Sequence, residues 1–170
     1  AIETALGGSI QNIVTDNEQT AKRMIEFLKK NKFGRATFLP LTQIRSHGGI
    51  AQPQALNEAG VIGLADTLVM VEDKYLELAG SLLGRTLVVD HIDHGLAIAR
   101  KYRQSIRIVT LEGDLINPGG SMTGGAFKNS SNLLSRRREI EDLEQAVQKL
   151  RADVAKTEQE IAELKNNRSS

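Results

Sequence analysis

Nine consecutive residues, Asn117 to Gly125, read NPGGSMTGG and hold four of the chain's fifteen glycines. A glycine-rich loop cradles phosphate when its amides face the anion at a helix start, with a Lys and a Ser or Thr close behind. Here no Lys occurs before Lys128, the three-glycine dinucleotide spacing is missing, and no amphipathic helix follows closely. Two other uses stay open. The segment is either a flexible linker into the C-terminal stretch of the chain, or backbone bared of Cβ atoms so that another segment can lie flush against it.

The run DHIDHG offers metal chemistry, because His91 and His94 share a helical face and Asp90 and Asp93 add oxygen donors. With only three His in the chain, and aspartates standing where a helix needs caps, the expectation is capping with solvated imidazoles and no metal site. Glu112 and Asp114 of TLEGD have no His or Lys obviously paired with them, and Ser121 lacks the strand-to-helix elbow of a nucleophile. No catalytic residue and no cofactor is expected.

Basic residues cluster in three places: six Lys or Arg from Lys22 to Arg35 against one acid, Glu26; then Arg100, Lys101, Arg103 and Arg107; then Arg136, Arg137 and Arg138. Lys29 and Lys30 also suit a helix C-terminus, whose dipole favours cations. Three clusters in one modest domain point to phosphate-backbone binding, sensitive to salt and blind to sequence. Base-stacking platforms are few, although Phe33 and Tyr102 lie beside basic residues.

Two stretches supply the elements that position these groups. In IQNIVTDNEQTAKRMIEFLKKNKFGRATFLPL, a β-branched run leads to a cap at Asp16 or Asn17 and a helix with Ala21, Met24, Ile25 and Leu28 on one face. Gly34 is the expected stop, followed by a second strand. In RTLVVDHIDHGLAIARKYRQSIRIVTLEGD the order repeats: strand 86–89, a cap at Asp90 or Asp93, a helix with Leu96, Ile98 and Ala99, and strand 106–111. Each is a compact β-α-β unit, which brings its two strands parallel or nearly so. Between them SHGGIAQPQALNEAGVIG reads as a connector. A helix over DKYLELAGSLLG comes next, with Asp73 as cap, Tyr75, Leu76, Ala79, Leu82 and Leu83 packing, and Gly84 as stop.

From Leu133 the texture changes. Ile140, Leu143, Val147, Leu150, Val154, Thr157, Ile161 and Leu164 alternate by three and four among charged residues, a heptad seam weak only at Thr157. A helix from about Ser135 to Lys165 is roughly 45 Å long. No other stretch carries a matching pattern, so its partner lies on another copy or in chain upstream of Ala1; the missing Met and the abrupt polar end also read as a fragment of a longer protein. The 170 residues, 40% hydrophobic and 25% charged with no Cys, suit a globular cytoplasmic module. The longest apolar runs are too short and interrupted to span a bilayer, and a net charge of +1 leaves any nucleic-acid affinity to local clusters.

Three segments, AIETALGGSIQNIV, GRATFLPL and IRIVTLEGDLINPGGSMTGG, resemble the hinge domain of bacterial SMC (structural maintenance of chromosomes) proteins, a resemblance that covers nearly the whole chain. The stretch from Ser46 to Leu83 carries little of the signature. The resemblance implies an α/β fold of two related subdomains forming a half-doughnut that dimerises about a two-fold axis, followed by a long coiled-coil helix. It implies coiled-coil arms that pair antiparallel within one chain and an ATPase head at their far ends. It places Gly119, Gly120, Gly124 and Gly125 at the dimer contact, and Lys29 and Lys30 on DNA. A further family cation falls near His47, with Arg45 the closest here.

The expected layout is a hinge domain over 1–131, its first lobe about 1–50 and its second about 51–131, then a coiled-coil segment over 132–170. The expected function is a non-catalytic homodimerisation hinge of a nucleoid-associated chromosome-segregation ATPase, touching DNA weakly through Lys29, Lys30, Arg45, Arg136, Arg137 and Arg138. The alternative is a nucleic-acid-binding module dimerised by its coil alone.

Overall fold

The structure is a computed structural model that describes residues 1–126 and 133–168. The chain falls into two compact units, residues 1–126 and 127–170. The expected hinge–coil boundary at 131 and 132 lies outside the described residues.

The first unit opens with a short helix, α1 (Ile2–Leu6), followed by a β-α-β element made of β1 (Ile13–Thr15), α2 (Glu18–Asn31) and β2 (Phe38–Pro40). β1 and β2 pair in parallel as a sheet of their own, with Ile13 opposite Phe38 and Thr15 opposite Pro40. Asn17 caps α2, its side-chain oxygen accepting from the Thr20 amide at 2.9 Å. The helix does not stop at Gly34 as expected. Lys32 takes the left-handed position at φ 54°, and the Phe33 amide donates to Leu28 O at 3.1 Å, closing the last turn two residues earlier.

The rest of this unit is a five-stranded sheet in the order β3-β4-β5-β6-β7, formed by Val61–Leu64, Thr86–Val89, Arg107–Thr110, Leu115–Ile116 and Met122–Thr123. β4 and β5 are parallel, and every other pairing is antiparallel. All four side chains of β4 and the last three of β5 are buried, as strands covered on both faces require. Their alternation sorts the core into two. Leu87, Val89 and Ile108 face α4 (Ile92–Lys101), where Ile98 and Ala99 close over them; Val88 and Val109 face Leu83 of α3 (Leu76–Leu83) and Ala5 of α1. Although α1 precedes β1, it is thus anchored to the larger sheet, and Arg107 Nη1 donates to Ala5 O at 2.8 Å.

Three local expectations change. The connector contains a strand: β3 pairs with β4, but a register shift between Val61 and Gly63 breaks the alternation that would have revealed it. Asp73 lies in a 3-10 turn ahead of α3, whose N-cap is Tyr75 without a side-chain bond. The later start turns Leu78 inward and leaves Leu76 exposed. Finally, neither Asp90 nor Asp93 is the N-cap of α4; that position is His91, which makes no side-chain capping bond.

The second unit contains α5 (Leu133–Arg168), a helix of 36 residues and about 54 Å. Ile140, Leu143, Val147, Leu150, Val154, Ile161 and Leu164 are all exposed along it, while Thr157 satisfies its own hydroxyl by donating to Asp153 O at 2.9 Å.

The core assignment has a direct consequence for stability. Ile108→Ala, which empties a fully buried site in the larger sheet, is expected to cost about 2–5 kcal/mol in urea denaturation. Met70→Ala, at a side chain 101% exposed, is expected to change stability by less than about 0.5 kcal/mol.

Candidate functional site

The glycine motif is a β-hairpin on the outer edge of the larger sheet. β6 and β7 pair antiparallel, with Leu115 opposite Thr123 and Ile116 opposite Met122. Across the turn the Asn117 amide donates to Ser121 O at 2.8 Å, the Gly120 amide to Asn117 O at 3.0 Å, and the Gly119 amide to Gln104 O at 2.8 Å. Those amides are consumed inside the protein and do not converge on an anion, so the hairpin is no phosphate cradle.

Each glycine answers a local demand. Gly119, Gly120 and Gly125 hold φ of 91°, 95° and 127°, values that side chains resist. Gly124 has no such φ, but a Cβ there would lie 2.5 Å from Asp114 Oδ1. Asp114 is itself fixed: Thr110 Oγ1 donates to its Oδ2 at 3.2 Å, and its own amide donates to Thr110 Oγ1 at 3.0 Å. Asp114, one of the two TLEGD carboxylates set aside as catalytic groups for want of a paired His or Lys, braces the hairpin. Beside Gly119 and Gly125 nothing lies within 4 Å of a would-be Cβ, and among the described residues β7 pairs with β6 alone, which leaves its outer edge, with the exposed Met122, without a strand partner.

A second feature was not legible beforehand. In the small β1-β2 sheet and its helix, only Thr15 and Ala21 are buried. Ile13 and Val14 are 39% and 40% exposed, Met24 and Ile25 are exposed on α2, and Phe33 is 68% exposed, with its ring centroid 5.8 Å from that of Phe27. A two-stranded sheet with so little covered is marginal unaided. The apolar spacing that signalled a packed helix face reads the same for a face awaiting a partner.

The basic residues separate by what they already bind. Lys29 and Lys30 occupy the last turn of α2 and are exposed, with Lys32 and Arg35 exposed beyond it. Arg45 is exposed, but its Nη1 folds back to donate to Ile44 O at 2.8 Å. In the second cluster Lys101 pairs with Glu58, whose carboxyl is held below its ordinary value by Lys101 and then by the Tyr102 hydroxyl. Arg107 is tied to Ala5, and the Tyr102 ring packs half-buried against the core of the larger sheet, whereas Phe33 is exposed. On α5, Arg136, Arg137 and Arg138 are exposed, and Arg137 Nε lies 3.3 Å from Glu141 Oε1.

At the end of β4, Asp90 Oδ1 accepts from the His91 amide at 2.7 Å and sits 2.7 Å from His94 Nδ1. The His94 contact is the chief reason that the Asp90 carboxyl lies below its ordinary value. The imidazoles of His91 and His94 stack, with centroids 4.2 Å apart. Among the described residues no helix is long and apolar enough to cross a membrane.

Residues 1–99 match the family described as SMC proteins Flexible Hinge Domain. The chain is 43% identical over 170 residues to the Chromosome partition protein Smc of Bacillus subtilis (strain 168), covering 98% of this chain and 14% of that protein. The corresponding protein of Desulfitobacterium hafniense (strain Y51) is 44% identical over 166 residues, covering 97% and 13%. The chain thus spans about one seventh of these relatives. Among solved structures, an asymmetric dimer of the Geobacillus stearothermophilus SMC hinge domain superposes with a TM-score of 0.73 at 36% identity, covering all of this chain and 69% of that one. The Pyrococcus furiosus Smc hinge domain with an extended coiled coil gives 0.61 at 30% identity, covering 98% and 58%. The long helix, the two β-α-β elements and these matches agree: the chain belongs to the SMC family and is one of its flexible hinge domains.

Proposed function

We propose that this hinge domain is a homodimerisation module that joins the coiled-coil arms of a chromosome-partition ATPase. The observation that carries the reading is the pairing of two unsatisfied surfaces in residues 1–126. The β1-β2 lobe leaves Ile13, Val14, Met24, Ile25 and Phe33 uncovered, and among the described residues the outer edge of β7 has no strand partner. In a two-fold dimer the lobe of one copy receives the hairpin of the other, and the contact occurs twice, closing a ring. Gly119, Gly120, Gly124 and Gly125 serve this by shaping the hairpin and keeping its outer side low. A stable contact of this kind buries about 1,200–2,000 Å² or more. The Geobacillus stearothermophilus hinge, itself a dimer, supports the reading.

The heptad seam of α5 takes an upstream coiled-coil helix of the same parent chain, giving an arm. The domain performs no catalysis, requires no cofactor and works in the cytoplasm on the nucleoid. Lys29 and Lys30 contact DNA phosphates, with Arg45, Arg136, Arg137 and Arg138 as further contacts. The exposed seam also favours a second reading, in which the coil alone dimerises a nucleic-acid-binding module.

Sedimentation separates the two readings. Met122→Asp on the β7 edge, or Val14→Asp on the opposing lobe, is expected to give folded monomers, whereas Leu143→Lys with Leu150→Lys on α5 leaves the dimer intact; the reverse pattern selects dimerisation by the coil. Both aspartate sites are exposed and free of positive φ, so they avoid the backbone strain that glycine substitutions bring. For DNA, fluorescence anisotropy of Lys29→Glu with Lys30→Glu is expected to weaken binding and to flatten the slope of log affinity against log salt by about 2. An unchanged slope would assign those lysines to the helix dipole alone.

A further inference from the structure

We propose that Asp90, His91 and His94 form a binding site for one divalent late transition-metal ion of the zinc class. One ligand atom from each lies within 4.8 Å of the others. Asp90 Oδ1 is 2.7 Å from His94 Nδ1, and Asp90 Oδ2 is 3.8 Å from His91 Nε2. Tetrahedral zinc with bonds of about 2.0–2.1 Å needs ligand atoms about 3.3–3.4 Å apart. The two measured spacings bracket that value, so small side-chain rotations bring three donors around one point.

The donors come from one strand-to-helix junction. Asp90 directly follows β4, His91 is the N-cap of α4, and His94 lies in its first turn. The loop at Gly60 forms the wall behind them, because the Asp90 amide donates to Gly60 O at 2.9 Å. Gly60 holds φ +84°, and a Cβ there would strike His94 Nδ1 and lie 2.5 Å from Asp90 Oδ1. A residue with any side chain would fill the space that the ligand atoms occupy. Asp90 Oδ1 accepts from the His91 amide at the helix start, but that bond leaves the placement of the two imidazoles beside the carboxylate unexplained, since neither aspartate is the N-cap and the His91 side chain makes no capping bond.

The donor set selects the ion. Two imidazoles and one carboxylate suit zinc, copper or nickel, whereas magnesium and calcium prefer all-oxygen shells. The three side chains are 36–47% exposed, which leaves the outer side open to water for the remaining coordination positions. Asp93 Oδ2 lies 4.0 Å from His91 Nδ1, beyond hydrogen-bond distance, and adds negative charge beside the cluster without joining it.

The chain has a built-in control, because His47 is its one other histidine and lies outside the cluster. Titration of the whole chain with zinc chloride in a non-chelating buffer, followed by calorimetry, is expected to show one saturable site per chain. Affinity falls at least tenfold in His91→Ala and in His94→Ala and is unchanged in His47→Ala, with circular dichroism of each metal-free variant confirming the fold. NMR of the unaltered protein provides a readout independent of any variant: substoichiometric zinc shifts the ring signals of two histidines and spares the third, whose assignment comes from His47→Ala. Absence of saturable heat, or equal perturbation of all three histidines, would overturn the proposal and reduce the Asp90–His94 contact to a hydrogen-bonded clip between strand and helix.

Discussion

β4 and β5 lie in parallel with their side chains buried on both faces, and that double burial constrains everything around them. A parallel pair needs a crossover, which is α4, and it needs cover on the opposite face, which comes from α3 and α1. Because Val88 and Val109 must be covered, the N-terminal helix is drawn to the larger sheet although β1 and β2 come directly after it. The Arg107 bond to Ala5 fastens that attachment to the same strand pair. The N-terminal helix is thus held by the sheet that also carries the glycine hairpin.

The hairpin inherits its position from this pair. Asp114 is anchored through the buried Thr110 at the end of β5, and Gly124 is small because the Asp114 carboxylate occupies the space beside it. Three neighbouring glycines hold backbone angles closed to most residues. The motif therefore satisfies an intramolecular demand first, and its low outer edge, the surface proposed for a second copy, is a by-product of that demand.

Charge is distributed on the same logic. Lys101 and Arg107, inside the second basic cluster, are spent on Glu58 and on a backbone carbonyl that hold the domain together. Lys29 and Lys30, at the far end of α2, face solvent next to an open aromatic ring. Those two cations of the second cluster have partners within the fold, and those at the exposed end of α2 face solvent, which is why the DNA proposal rests on them.

Much was legible from residue order alone. The repeated β-α-β pattern, a cap at Asp16 or Asn17, the strand at 86–89 and the heptad seam arise from local preferences acting over a few residues, and tertiary packing here agrees with them; the structure chose Asn17. Local preference also marked the four glycines, though not which neighbour each one accommodates. Tertiary structure decided the rest. Met24 and Ile25 have the spacing of a core face, yet they stay uncovered, because periodicity records that a face is apolar and not what lies against it. β3 was hidden by its bulge, and Gly60 meets His94 only after the chain has closed over thirty-odd residues. Such contacts arise from which segments the β4–β5 core brings together, a long-range outcome that no local pattern encodes.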